Sequence, residues 1–158
     1  MVRWTVLVAT MAWAAGEVCA SHGADSRARA FYTGALALAL VHVALAFHIT
    51  YAWSHEAAVA ETARQTASFT GWAWGGGVFV NYVFLAVWLT DACWWWVAPA
   101  SRAQRAPAVE ATRLGLFVFM FVNGAIVFAA GIGRLIGSVS VGAVVAAHAA
   151  RRRHAMTT

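Results

Sequence analysis

The chain has 158 residues, 62% of them hydrophobic and 11% charged, with a formal net charge of +5. Soluble domains carry about 25% charged residues, so an ordinary soluble fold is excluded. All eleven cationic side chains are arginines in short loops or at the ends of apolar segments, which is the placement of topology determinants and headgroup anchors rather than of a nucleic-acid surface.

In lipid, only helices and closed barrels satisfy every backbone polar group. The apolar runs are too long and too continuous for barrel strands of alternating polarity. The sequence therefore predicts an all-α integral membrane protein, one domain over residues 1–158. It reads as a bundle of four transmembrane helices, near 4–20, 31–53, 71–97 and 113–134. A surface or protruding helix follows the second span over 54–69, and a C-terminal helical extension covers 135–150, with a fifth, short span there as the alternative.

The first segment, Trp4 to Ala20, is short against the roughly 17–25 residues of a span. Arg3, an apolar core and Val18-Cys19-Ala20 also read as a secretory signal cut after Ala20,. Glu17 beside that cut and two tryptophans in the segment favour a retained helix. A polar loop over 21–30 then leads into the second span.

From Ala35 to Thr70 there is neither Gly nor Pro, so nothing forces the backbone out of a helix. One straight rod would be about 54 Å long, against a hydrocarbon core of about 30 Å. Ser54 reads as an N-cap with Glu56 in the first turn. That breaks the rod at Trp53–Ser54 and lays the next helix on the membrane. Ser54-His55-Glu56 is not a catalytic triad, because sequence neighbours on a helix point in different directions.

Gly75-Gly76-Gly77 opens the third span as a local weak point, and no strand precedes it as a nucleotide loop requires. Trp94-Trp95-Trp96 reads as an interface anchor at its far end. The fourth span carries Ala125, Ala129, Gly133 and Gly137 at every fourth position, a stripe that lets helices approach closely in lipid. Cys19 and Cys93 match no metal or redox spacing and are read as thiols.

Four spans would place the termini and the 54–70 connection on one side, with the 21–30 and 98–112 loops on the other. Arginines close to span ends favour those two loops as cytoplasmic. The Arg151-Arg152-Arg153 triplet, assigned to the first side, counts against that orientation.

Three histidines mark the second span and its extension. His48 and His55 differ by about 20° around a helix axis and share a face. Thr62 and Thr66 continue it. Polar groups at membrane depth face the bundle interior, so this stripe is expected to point inward. A haem b site would use His42 and His48, with Met120 (or Met11) opposite His42, or a second histidine from His148 if the tail enters the bundle or from a second copy. A transition metal would use His55, Glu56 and Glu61 at the surface. A polar core is expected from Asn81, Asp91, Asn123 and Arg134, with Asp91 neutral, open to water, or paired to Arg113 or another arginine. Glu17, Cys19, Asp91 and Cys93 fall at the opposite membrane edge from His48.

The expected role is non-enzymatic: a structural or accessory subunit of a bacterial inner membrane, multi-pass, packing through the Ala/Gly stripe. Its partners would be the lipid bilayer and other membrane subunits or a second copy, and no nucleic acid. The alternatives are an electron-transfer component with haem or metal on the second-span histidines, and a proton or cation conduit through Asp91 and Asn81.

Overall fold

The computed structural model describes residues 2–157, helical almost throughout, with no strand among them. The helices are α1 (Val2–Ser21), α2 (Asp25–Ile49), α3 (His55–Thr70), α4 (Gly77–Val97), α5 (Pro99–Ala103), α6 (Pro107–Val122) and α7 (Ile132–Thr157). A short π-helical segment, Asn123–Val127, prolongs α6. Five helical stretches are long and apolar enough to cross a membrane: α1, α2, α4, α6 with its π segment, and α7. The structure does not single out four: α7 is a fifth helix of spanning length, where the sequence offers either a helical extension or a fifth span.

The physical reason lies in Phe128–Gly131. There the chain reverses with no polar residue, and Gly131 takes φ +57°, a left-handed conformation that glycine adopts without a Cβ penalty. The π segment and the turn leave carbonyls without helical partners. Arg134, in the first turn of α7, donates to Ile126 O at 3.1 Å through Nε and to Ala129 O at 2.9 Å through Nη2. Asn123 Nδ2 donates to Phe119 O at 2.7 Å within its own helix. Neither residue joins a polar core.

α1 and α2 form a tight antiparallel hairpin. Its turn is closed by His22 N–H and Ala24 N–H donating to Cys19 O, with Gly23 at φ +76°. Small residues bring the two backbones together: Ala9, Ala28 and Ala35 are buried, and a Cβ on Gly16 would stand 3.2 Å from Ala28 O. α7 runs parallel to α1, with Gly133 against Leu7 at one end and His148 against Glu17 at the other. The start of α1 and the end of α7 therefore lie at opposite ends of the bundle, whereas four spans would have brought them together.

The second span stops at Ile49, and Ala52 and Trp53 take positive φ. Ser54 then caps α3, its hydroxyl accepting from Ala57 N–H at 3.1 Å. Val59 of α3 abuts Gly75, where a side chain would clash. The core is aromatic: Trp13, Tyr32, Phe84, Trp88, Phe117 and Phe121 are buried together. Trp13 stacks on Phe121 at 4.5 Å, and Phe84 meets Phe117 edge-on at 4.9 Å.

The Ala/Gly stripe is used inside the molecule. Gly137 and Ala125 are buried against each other, and a Cβ on Gly137 would fall onto the Ala125 carbonyl oxygen. Gly137→Ala is expected to cost about 1 to 3 kcal/mol through forced separation of α7 from the π segment. Gly142, with open space around it, serves as the control, and Gly142→Ala should be neutral or stabilising. Thermal unfolding in detergent checks both; equal midpoints for the two variants would contradict this packing.

Candidate functional site

At the end of the bundle where α1, α4 and α7 finish and α2 and α6 begin, side chains from all five long helices converge. Each charged or polar group sits in helical register with the aromatic face of its own helix. Glu17 follows Trp13 by one turn, and Asp91 lies between Trp88 and Trp95. Arg113 precedes Phe117 by one turn, and Tyr32 lies on the buried face with Ala28 and Ala35. Folding the aromatic faces together thus draws the charges inward at the same level.

The network is extensively paired. Arg113 is bidentate to Glu17, with Nη1 to Oε1 at 2.8 Å and Nη2 to Oε2 at 3.2 Å. Its Nε and Nη2 also donate to Glu110 at 3.1 and 2.9 Å. Asp91 accepts Arg102 Nε and Nη2 at 3.0 and 2.9 Å, Arg105 Nη1 at 2.7 Å and the Tyr32 hydroxyl at 2.7 Å. Arg105 pairs in addition with Glu110. His148 Nε2 donates to Glu17 Oε2 at 3.1 Å. Glu17, Asp91, Arg102 and Arg113 are all buried.

Such burial is tolerable only because each charge keeps several partners, since an uncompensated buried charge costs several kcal/mol. Guanidinium faces also lie on rings: Arg102 stands 3.7 Å above Trp95 and Arg113 5.3 Å from the Phe117 centroid,. In the turn between α5 and α6, burial and the nearby charges of Arg113 and Arg102 push Arg105 below the usual arginine value.

An open cavity of about 710 Å³ lies over this network. Its wall includes Glu17, Asp25, Glu110, Arg102, Arg105, Arg113 and His148, together with Arg29 and Arg151. Ligand atoms of Glu17, Glu110 and His148 lie within 4.8 Å of one another, close enough to hold a metal ion. Both carboxylates already serve arginines, so a cation there would compete with guanidinium groups for the same oxygens.

The site residues read from the sequence are scattered. His48 is exposed and its Nδ1 accepts the Trp53 indole N–H at 3.3 Å. His55 is exposed, sharing a hydrogen bond of 3.1 Å with the Tyr82 hydroxyl. The inward stripe is thereby corrected: the break at Ala52–Trp53 ends the continuous rod on which the shared face depended. His42 Nδ1 shares a 3.0 Å hydrogen bond with Thr5 Oγ1 on α1, while Met120 packs against the aromatic core and Met11 is exposed. Neither this cavity nor the smaller one of about 230 Å³ between α1 and the 124–133 turn is lined by His42, His48 or His55.

Glu56 is exposed, and Glu61 instead pairs with Arg64 and accepts Gln65 Nε2 at 2.8 Å. The Arg64 and Gln65 hydrogen bonds hold the Glu61 carboxyl below the usual range. Of the four polar-core residues, Asp91 alone is buried; Asn81 and Arg134 are exposed, and Asn123 is half-buried. Cys19 and Cys93 are free thiols.

Asp91 and Glu17 were legible as polar residues at one edge, and Arg113 as a possible partner for Asp91. The structure hydrogen-bonds Arg113 to Glu17, keeps its Nε 4.0 Å from Asp91 as a longer ion pair, and adds Arg102 and Arg105 on Asp91. Another arginine on Asp91 lies within that expectation, but sequence does not single out Arg102 and Arg105, because a buried and an exposed loop arginine look alike, and it does not place Glu110 or His148 beside Glu17. The helical spacing of three between Glu110 and Arg113 was the one available signal.

Comparison with protein-family models, with curated proteins and with solved structures gives no match.

Asp91→Asn removes the shared acceptor charge of two guanidinium groups. It should cost about 3 to 5 kcal/mol, the range for breaking a buried pair by deleting one partner. Arg64→Gln, which breaks the exposed pair with Glu61, should cost under about 1 kcal/mol. Denaturation of the detergent-solubilised protein separates them, and comparable losses would show that the buried network does not hold the fold.

Proposed function

We propose that this chain is a non-enzymatic, multi-pass protein of a bacterial inner membrane, acting as a structural or accessory subunit. One observation carries the reading. The buried charges are committed to one another, and beneath them the interior is filled by aromatic rings from Trp13 to Phe121. Such a centre holds helices together. A polar ladder through the bundle would need Asn81, which lies on the outside.

Charge distribution supports an orientation. Arg27, Arg29, Arg102, Arg105, Arg113 and the Arg151-Arg152-Arg153 run belong to the network end; only Arg3, Arg64 and Arg134 belong to the other. By the positive-inside rule the network end faces the cytoplasm. With the Ala/Gly stripe occupied within the molecule, α3 is the element left for a partner outside lipid, its Glu56, Arg64 and Gln65 exposed. The haem and conduit readings draw less support, because their residues lie apart.

Two measurements test this. Wild-type protein in liposomes should pass protons, Na⁺ and K⁺ no faster than protein-free vesicles do; a flux abolished by Asp91→Asn would overturn the reading. Extraction from the native membrane in mild detergent should retain a stoichiometric partner subunit or second copy, lost in a Glu56→Arg, Arg64→Glu variant. A monomer alone would remove the accessory role.

A further inference from the structure

The cavity above the ion network has a second layer of charge that the network does not use. Arg29 is half-buried on its wall, its guanidinium 4.2 Å from the Trp96 ring centroid and Nη1 donating to Trp95 O at 3.3 Å. Its Nε is buried and has no hydrogen-bond partner. Arg151, from the last turns of α7, lies on the same wall and is exposed. Among the described residues, no carboxylate lies within ion-pair distance of either one.

The arginines behind them are spent on Asp91, Glu17 and Glu110. The rim carboxylate Asp25 is exposed and pairs with neither Arg29 nor Arg151. With Arg102, Arg105 and Arg113 balanced by three acids, two guanidinium groups without a carboxylate partner share the wall with one carboxylate, and the wall keeps a positive excess. Guanidinium forks match oxyanions in shape and charge.

We propose that this cavity is a binding site for a phosphate-type oxyanion held by Arg29 and Arg151, resting on the reading of the network end as the cytoplasmic membrane surface. At that level the phosphate is either the headgroup of an anionic phospholipid or a free anion from solution. The volume falls within the roughly 300 to 1,000 Å³ of small-ligand sites, enough for a headgroup with its glycerol. Trp95 and Trp96 sit beside it and supply the optical signal.

The full chain in zwitterionic detergent is titrated with dioctanoyl-phosphatidylglycerol, dioctanoyl-phosphatidylcholine and inorganic phosphate, reading tryptophan emission and thermal midpoint. Saturable change with the anionic lipid alone assigns a lipid headgroup; saturable change with inorganic phosphate as well assigns a free oxyanion, and both support the site. Arg29→Gln with Arg151→Gln should weaken binding about tenfold or more, whereas Arg27→Gln, exposed and off the cavity wall, should leave it unchanged. Neither substituted arginine holds a carboxylate of the buried network, so the double variant gives up only the Arg29 contacts with Trp95 O and the Trp96 ring, and a small drop in its ligand-free midpoint is expected. Equal responses to the two lipids with none to phosphate, or an unaltered response in the double variant, would overturn the proposal. Ion flux from wild-type liposomes would instead defeat the structural reading and leave this titration's outcome independent of it.

Discussion

The pairing of Arg113 with Glu17 is the constraint around which this bundle is arranged. Both groups are buried, on helices 96 positions apart in sequence. Removing either one would leave a buried charge short of its main partner, which is strongly destabilising. Glu110 supplies further acceptors for Arg113, and His148 a donor for Glu17. The pair therefore fixes α1 against α6 and draws α7 in beside them. Asp91 performs the same service for α4, gathering Arg102 and Arg105 from the turn that joins it to α6.

The charged layer and the aromatic layer below it depend on each other. Arg102 lies flat over Trp95, and Tyr32 reaches from the ring cluster to Asp91 with its hydroxyl. Tyr32 itself stacks on Phe117 at 5.8 Å and meets Trp95 edge-on at 5.5 Å. In hydrocarbon there is no hydrophobic drive to bring helices together, so packing and polar contacts must do it. Here close backbone approach serves α1–α2 and α6–α7, where glycine and alanine dominate. Ring packing and ion pairs serve α4–α6, where the side chains are large. The two modes are complementary because α1 takes part in both, through Gly16 on one face and through Trp13 and Glu17 towards the ring cluster and α6.

Sequence carried the broad class and several local features without help. Apolar run length separates helices from barrel strands, and Ser54 with Glu56 marks a helix start that the cap geometry matches. The edge holding Glu17 and Asp91 was visible too. What escaped was whatever depends on where a turn sends the chain. Phe128 to Gly131 has the composition of a span, so α6 and α7 read as one segment, and only the φ of Gly131 and the grip of Arg134 on freed carbonyls divide them. The histidine stripe failed for the converse reason: angular bookkeeping presumes an unbroken helix, and the left-handed Ala52 and Trp53 reset the phase. Arginines in loops were read as anchors because burial is a property of the folded loop, not of residue type.

Recognising α7 as a spanning-length helix also alters the electrostatic argument. Assigned to a four-span chain, the terminal arginine triplet opposed the orientation set by the loops. Carried along α7 past His148, it joins those loops, and the asymmetry becomes one-sided. The charge at that end is moreover layered. Deep guanidinium groups are neutralised by carboxylates and hold helices; shallow ones, Arg29 and Arg151, have no acid within pairing distance among the described residues. The second layer serves orientation by the positive-inside rule, and its charge without a carboxylate partner adds repulsion near the buried network. An oxyanion held as proposed would remove that repulsion, because it would meet the guanidinium groups that no carboxylate engages.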